Sequence, residues 1–333
     1  EVMKIIVTGC YGFIGFNFIR YIIKNFNSDF KIIGIDNLNN SYSKLNFNKY
    51  KSEEFTFLKE DINKINDIEN NNFLDVDLII NFAAESHVDT SIYNPEAFIH
   101  SNVSGVQSLL NFAKNNSVHN FIQISTDEVY GSTKNGFFTE DDKLNPSSPY
   151  SASKASADML INAYKRTFDM QITTIRPANN YGPFQQPEKL IPFSISNLIQ
   201  NKKIEVYGEG ENVRHWLYVE DTVEAILKVV EVGLGNDIYN LGSGDYLTNN
   251  ETANKLLEAG GYSKDMIEYI EDRPGHDFRY ATNCEKINSL GWKPKFSFDK
   301  GLKNTYEWYI KNQDWLLFDI SKIINNRDLR FAK

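Results

Sequence analysis

Cysteine is nearly absent: Cys10 and Cys284 are the only two in 333 residues. Two thiols cannot form a disulfide framework or a four-cysteine zinc site. They read as core or loop thiols of a reducing compartment, which sets a cytoplasmic expectation. Long apolar runs are missing too. No stretch of about 18 apolar residues occurs, so no membrane-spanning helix is expected. The chain enters directly on a strand-like run, without the charged, apolar and cleavable segments of a secretory leader, so none is expected. Basic residues are in deficit: Lys and Arg total 35 against 44 Asp and Glu, for a net charge of -9. That balance speaks against nucleic acid as a partner and leaves only a local basic pocket. Proline is sparse, at nine residues, and no Pro-, Ser- or Gly-rich linker or internal repeat is visible. What is present is ordinary globular material, 41% hydrophobic and 24% charged. The length exceeds the usual size of a single core.

Short β-branched runs alternate with helical spacing through the first half. Lys4 to Thr8, Lys31 to Asp36, Phe55 to Asp61, Val76 to Phe82 and Phe121 to Ser125 read as strands. Phe13 to Asn25 and Pro95 to Asn115 carry helical spacing between them. The runs lack period-2 alternation, as strands buried on both faces do. Such a pattern predicts an α/β fold with a doubly wound parallel sheet. After about residue 180 the pattern loosens, and Pro183, Pro187 and Pro192 crowd together. Ile204 to Tyr207, Leu217 to Val219 and Ile238 to Leu241 read as further strands. Helices are expected at Glu220 to Val232, Thr252 to Leu257 and Leu302 to Lys311. The expected division is a dinucleotide-binding Rossmann domain over 1–180, with pieces near 215–240 returning to it. A smaller mixed α/β substrate domain covers 181–333.

The first strand runs into Gly9-Cys10-Tyr11-Gly12-Phe13-Ile14-Gly15 and then a helix. Glycines at this spacing allow a tight turn, close backbone approach to a pyrophosphate, and close helix–strand packing. The helix start offers free N–H groups and a positive dipole end to phosphate. A glycine triplet alone is also consistent with a plain strand-to-helix turn. Asp36 raises its meaning, because it ends the next strand about 20 residues on, where a carboxylate meets ribose hydroxyls. The residues after it, Asn37, Leu38, Asn39 and Asn40, offer no cation for a 2′-phosphate. NAD is therefore expected rather than NADP. Asp61 and Ile62 close the third strand at the adenine edge, and Phe82, Ala83 and Ala84 close the fourth. Small residues there let a cofactor lie across the strand ends.

Tyr150 and Lys154 are spaced i, i+4 at the start of a helix and share one face. Bringing a tyrosine from about 10 to neutrality costs about 4 kcal/mol. A neighbouring ammonium and a cationic nicotinamide lower that cost. By itself the spacing is equally that of a surface pair. Thr126, Asp127 and Glu128 follow the fifth strand and place an acid beside a base. Successive strand residues point to opposite faces, so both serve one substrate only if the chain turns here. Gly131 supports a turn.

At this point the sequence resembles the extended short-chain dehydrogenase/reductases, and within them the nucleoside-diphosphate-glucose 4,6-dehydratases. The likeness rests on AAESHVD (83–89), STDEVYG (125–131), NNYGP (179–183), PEKLIP (187–192), the 214–221 segment and DRPGHD (272–277). The TDE triplet is the most discriminating, because related 4-epimerases usually lack both carboxylates. The resemblance implies oxidation at C4, loss of water across C5 and C6, and reduction at C6, with NAD regenerated and retained. This is a step of deoxysugar (rhamnose-type) biosynthesis. In it Tyr150 is the base at C4, Lys154 keeps the phenolate accessible, Glu128 removes the C5 proton and Asp127 protonates the C6 hydroxyl. Thr126 holds the C4 hydroxyl.

The same resemblance implies the binding residues. Ser101 and Asn180 join the cofactor set of Gly9, Gly12, Phe13, Ile14, Gly15, Asp36, Asn37, Asp61, Ile62, Phe82, Ala83, Ala84, Tyr150 and Lys154. Ser86 and Thr126 meet the sugar. Asn179 and Lys189 flank the diphosphate, and Arg214 pairs with it through its planar fork. Tyr207 lies near the base, and Asn249, Arg273 and His276 complete the pocket. A homodimer is implied through helices at 95–115 and 150–168. The histidines show no metal pattern, and no metal site is expected. Cys10 and Tyr11 replace the small residues usual in the loop, so Tyr11 must point away from the pyrophosphate. The 4-epimerase reading remains the alternative. The motifs leave thymine and uracil open, since one methyl is worth only about 1–3 kcal/mol.

Overall fold

The computed structural model describes residues 2–26, 29–50 and 53–328. The outer ends of the two expected domain ranges, 1 and 329–333, lie outside these. The first half builds β1 (Met3–Thr8), α1 (Phe13–Phe26), β2 (Phe30–Asp36), α2 (Ser41–Lys49), β3 (Thr56–Lys59) and β4 (Leu78–Asn81). Next come α3 (Val88–Tyr93), α4 (Pro95–Phe98), α5 (Gly105–Asn115), β5 (Asn120–Ile124), α6 (Pro149–Phe168) and β6 (Gln171–Pro177). The second half adds β7 (Asn179–Tyr181), α7 (Leu190–Ile199), β8 (Ile204–Tyr207), β9 (Val213–Tyr218), α8 (Val219–Val232), β10 (Ile238–Leu241) and β11 (Asp245–Thr248). It ends with α9 (Asn249–Gly260), β12 (Ile267–Ile270), α10 (Glu285–Ser289), α11 (Phe298–Lys311), α12 (Gln313–Leu316) and α13 (Ile320–Asp328). Among the described residues no helix is long and apolar enough to cross a membrane.

Seven parallel strands form the main sheet in the order β10-β6-β5-β4-β1-β2-β3. Neighbouring side chains divide between its faces. Ile5 and Val7 join one core with α1 and α8, while Ile6 joins the other with α5 and α6. Apolar residues at consecutive positions are therefore used on both sides, which is the fold class the unalternated runs predict. The chain order reverses between β1 and β4, and the crevice at their carboxyl ends is where ligands of such sheets bind. A three-stranded sheet, β11-β9-β7, and a parallel pair, β12-β8, stand beyond the main sheet. Thus β10 and α8 return to the main sheet, whereas β9, at 213–218, belongs to the smaller one.

Three differences from the sequence-based expectation have local causes. β6 lies second from the edge of the sheet, yet its sequence, QITTIRP, breaks an apolar run with Thr173, Thr174 and Arg176. All three are buried, and Arg176 is paired with Asp158 at 2.9 Å. The third strand ends at Lys59, so Asp61 does not close it but caps the following 3₁₀ turn, accepting from Asn63 N–H. The 95–115 stretch is interrupted at Ile99–Ser104 by a π-turn that holds Ser101 and Asn102. The buried Asn102 side chain there bonds both backbone groups of Glu85, at 2.8 and 2.9 Å, and Ser153.

Candidate active site

The glycine loop joins β1 to α1. Gly9 has φ +65°, and a Cβ there would stand 2.7 Å from the Ala83 nitrogen. A Cβ on Gly15 would stand 2.3 Å from the Gly9 carbonyl oxygen. These two glycines are required by packing, and Gly12 N–H closes the turn on Gly9 O at 3.0 Å. The Tyr11 ring is buried among Phe16, Phe47, Phe55 and Phe57, so it leaves the crevice clear. Asp36, at the end of β2, accepts from Tyr11 N–H at 3.0 Å and Leu38 N–H at 2.8 Å. Burial pushes its pKa up, and these two donors oppose the rise. Each carboxylate oxygen keeps acceptor capacity for a hydroxyl. The glycine cradle, the free first turn of α1 and this buried acid fit a dinucleotide.

The other expected cofactor residues have these local settings. Phe82 follows β4 with its N–H on Thr8 O, and Ala83 N–H is held by the Asn81 side chain. Ala84 continues that segment. Asn37 folds back to accept from Asn39 N–H. Ile62 is buried, and an added Cβ on Gly105 would lie 2.5 Å from it. His100 approaches Asp61 at 3.5 Å, just before Ser101. Phe13 and Ile14 open α1. Asn180 accepts from the Thr222 hydroxyl at 2.6 Å.

The chain does turn after β5. Asp127–Tyr130 form a 3₁₀ turn capped by Thr126, whose hydroxyl accepts from Glu128 N–H at 3.2 Å. α6 begins with Pro149 and a Ser148–Ser151 capping box, which holds Tyr150 and Lys154 in its buried first turns. Tyr150 N–H donates to Ser91 Oγ at 3.1 Å, and the Thr126 side chain lies near enough to its hydroxyl to favour the phenolate. Burial, Glu128 and Asp127 push the Tyr150 pKa up, and Thr126 opposes them. Lys154 Nζ donates to the Ile124 carbonyl at 2.7 Å, and burial pulls its pKa to about 8. The expected lowering of Tyr150 by its ammonium neighbour is thus outweighed, among the groups of the chain alone, by burial and two carboxylates.

The second half supplies cations. Arg214, on β9, is buried, with Nη2 on the Asp277 carbonyl at 3.1 Å and its guanidinium over the Tyr280 ring at 4.4 Å. Lys189, at the start of α7, donates to the Ser86 carbonyl. Asn179, on β7, has a buried side-chain oxygen without a protein hydrogen-bond partner, as has Asp127 Oδ2. Asn249 opens α9 and is buried beneath the Thr248–Glu251 capping box. His276 bonds Asp272 at 2.6 Å, and burial with Arg273 and Arg214 pulls its pKa to about 4.

Sequence reasoning passed over Asp89. Its buried carboxylate accepts from Tyr207 Oη at 3.0 Å and Arg273 Nη1 at 2.8 Å. One acid thereby joins α3, β8 and the 272–277 loop. The available signal was its place inside AAESHVD. His215, which showed no partner pattern, accepts from Gly244 N–H at 2.9 Å and stacks on Tyr246. Among the described residues no group of three or more His, Cys, Asp or Glu is placed to hold a metal ion.

The family model for GDP-mannose 4,6 dehydratase matches residues 6–305. The dTDP-glucose 4,6-dehydratase of Haemophilus influenzae is 40% identical, over 93% of this chain and 98% of its own length. The chain belongs to the dTDP-glucose 4,6-dehydratase family. A second relative, the low-salt glycan biosynthesis protein Agl12 of Haloferax volcanii, is 45% identical over 94% of this chain and all of its own. The solved dTDP-glucose 4,6-dehydratase DesIV of Streptomyces venezuelae, with NAD and TYD bound, superposes with a TM-score of 0.88. It is 38% identical and covers 94% of this chain and 98% of its own. The family is one of NAD-dependent hydro-lyases on the short-chain dehydrogenase/reductase fold.

Proposed function

We propose that this chain dehydrates a nucleoside-diphosphate-glucose, dTDP-glucose or UDP-glucose, to the 4-keto-6-deoxy sugar nucleotide. The observation that carries the reading is the 3₁₀ turn at Asp127–Tyr130, which puts two carboxylates within electrostatic reach of the Tyr150 hydroxyl. A 4-epimerase has no use for that pair.

NAD, when bound across the crevice, supplies the two-electron sink at C4 and the source at C6. The residues expected at the cofactor would hold it: the 9–15 loop and Asp36 with Asn37, then Asp61, Ile62, Phe82–Ala84, Ser101 and Asn180. Tyr150 takes the proton of the C4 hydroxyl, positioned by Thr126. Lys154 lies one helical turn away on the same face and stabilises the phenolate. The 4-ketone acidifies the C5 proton, which Glu128 removes and which is replaced at C5 as C6 is reduced. Asp127, whose pKa burial and Glu128 push up, gives its proton to the C6 hydroxyl, and water leaves. Arg214, Lys189 and Asn179 hold the diphosphate, with Arg273, His276, Asn249 and Tyr207 toward the nucleoside and Ser86 toward the sugar.

The 1–180 region carries the cofactor in this reading and 181–333 mainly the sugar nucleotide. We also propose a cytoplasmic homodimer. Ile99, before α5, and Met159, on α6, are exposed at 51% and 61%. These exposed apolar side chains support pairing of the two helices with their copies.

The test is incubation with dTDP-glucose and with UDP-glucose separately, without added NAD. A 4-keto-6-deoxy product is expected by NMR. A 4-epimer would overturn the reading, and relative kcat/KM assigns the base.

A further inference from the structure

The glycine loop is held from behind by a relay that begins near the C-terminus. Tyr11 stands mid-loop. Its N–H is taken by Asp36, and its carbonyl accepts from Asn46 Nδ2 at 3.0 Å. Asn46 lies on α2 and is fully buried. Its Oδ1 accepts the indole N–H of Trp315, on α12, at 2.8 Å. One amide therefore ties together positions separated by 35 and 269 residues in the chain. Tyr42, four residues earlier on α2, donates its hydroxyl to the Leu316 carbonyl at 3.0 Å. Lys49, on the same helix, pairs with Asp314. Trp315 is fully buried and packs on Tyr42, Phe184 and Trp308. It lies beyond the residues 6–305 that match the family model.

The geometry has a direct consequence for the loop. The Tyr11 carbonyl and the Gly12 N–H belong to one planar peptide unit. Fixing that carbonyl on Asn46 fixes the direction of the Gly12 N–H, which closes the turn on Gly9 O. That turn presents the first residues of α1, whose free N–H groups face a phosphate. Replacing Asn46 by an apolar residue would leave a buried carbonyl and a buried indole N–H unpaired, so the loop loses its fixed geometry.

We propose that Asn46, locked by Trp315, is a positioning residue of the cofactor loop and sets how tightly the chain retains NAD. The proposal rests on the NAD-dependent reading above. A reaction that returns its cofactor to the starting state fails whenever that cofactor leaves in mid-turnover, so retention is a functional quantity here.

The test compares full-length wild type with Asn46→Leu, Trp315→Phe and Trp292→Phe. Asn46→Leu is nearly isosteric and removes both bonds. Trp315→Phe removes the indole donor together with part of the ring volume, a volume loss that Trp292→Phe matches. Trp292 is the control, a buried tryptophan whose N–H has no protein partner. NAD dissociation constants are measured by calorimetry on stripped protein, with the NAD content as purified. We expect about a tenfold weaker NAD complex for Asn46→Leu and about threefold for Trp315→Phe. Trp292→Phe should bind as wild type. With NAD saturating, kcat and the KM for the sugar nucleotide should stay within about twofold. NAD binding unchanged in both relay variants overturns the proposal. So does a parallel rise of both KM values, which marks a general structural role. If Asn46→Leu does not fold, Trp315→Phe against Trp292→Phe decides. A wild type that binds no NAD overturns the parent reading, a result distinct from either.

Discussion

Asp127 and Glu128 are adjacent in sequence, and Glu128 meets more of the site's cations than Asp127 does. Asp127 is 2% exposed with one unpartnered carboxylate oxygen, and burial with Glu128 drives its pKa well up. Glu128 is also raised by burial, but Lys189, Arg273 and Arg214 pull it down. That difference supports the proposed roles, Asp127 as proton donor and Glu128 as proton acceptor. Glu128→Gln is expected to lower turnover by about 10²–10⁴-fold while reduction of bound nicotinamide stays measurable. Asp127→Asn should block water loss yet still allow exchange of the C5 proton with solvent, read by NMR in deuterium oxide. Full turnover in Glu128→Gln would refute the base assignment.

Stability should carry the mark of Asp127. Its folded pKa lies above its unfolded value near 3.9, so the folded state binds more protons between the two. The contribution is whole below the unfolded value and is lost as pH rises through the folded one. Asp127→Asn has no such loss. Relative to wild type, the variant's Tm should therefore climb between acid and neutral pH, on the order of 2–4 °C. Equal differences at pH 4 and pH 7 would contradict this.

Arg214 combines burial, a fork and a ring contact. Lysine keeps the charge and loses the planar double donor. Arg214→Lys is expected to raise the KM for the sugar nucleotide by about 10–100-fold with kcat within a few-fold. Steady-state kinetics at saturating NAD test it. A fall in kcat alone would place Arg214 at the reacting sugar instead of the diphosphate.

Asp89 orients two binding groups without itself being proposed to touch the substrate. Asp89→Asn weakens the contacts to Tyr207 and Arg273 together. The KM for the sugar nucleotide should rise by about 5–10-fold while NAD dissociation stays unchanged. Loss of NAD affinity of the same size would show that the change acts on the whole fold.

Gly15 has no room for a side chain. A Cβ would stand 2.3 Å from the Gly9 carbonyl, a backbone atom that cannot step aside. Gly15→Ala should lower NAD affinity by more than about tenfold and reduce Tm, since the loop must reopen to admit it. Calorimetry and thermal unfolding are the two readouts.

Much of the fold and site was legible because it is local. The loop from Gly9 to Gly15, the acid at Asp36, the Tyr150–Lys154 spacing and the TDE triplet each lie within one element or one turn. Their meaning follows from strand, turn and helix geometry. β6 escaped because its buried polar residues imitate a surface segment, and only their distant partners, Asp158, Tyr130 and Gly235, explain them. Asp89 escaped because a carboxylate in a motif does not disclose which cations it meets.

The sequence by itself determined the parallel α/β sheet, the dinucleotide loop and the chemistry-bearing residue types, since periodicity and spacing act over a few residues. Only the tertiary structure decided where the Tyr11 ring goes, which charges surround each of two neighbouring carboxylates, and which groups brace the loop from behind. Burial and opposing charge come from chain segments more than a hundred residues apart, as with Asp89 and Arg273 or Asn46 and Trp315. Folding brings them to one place, and no local pattern records the meeting.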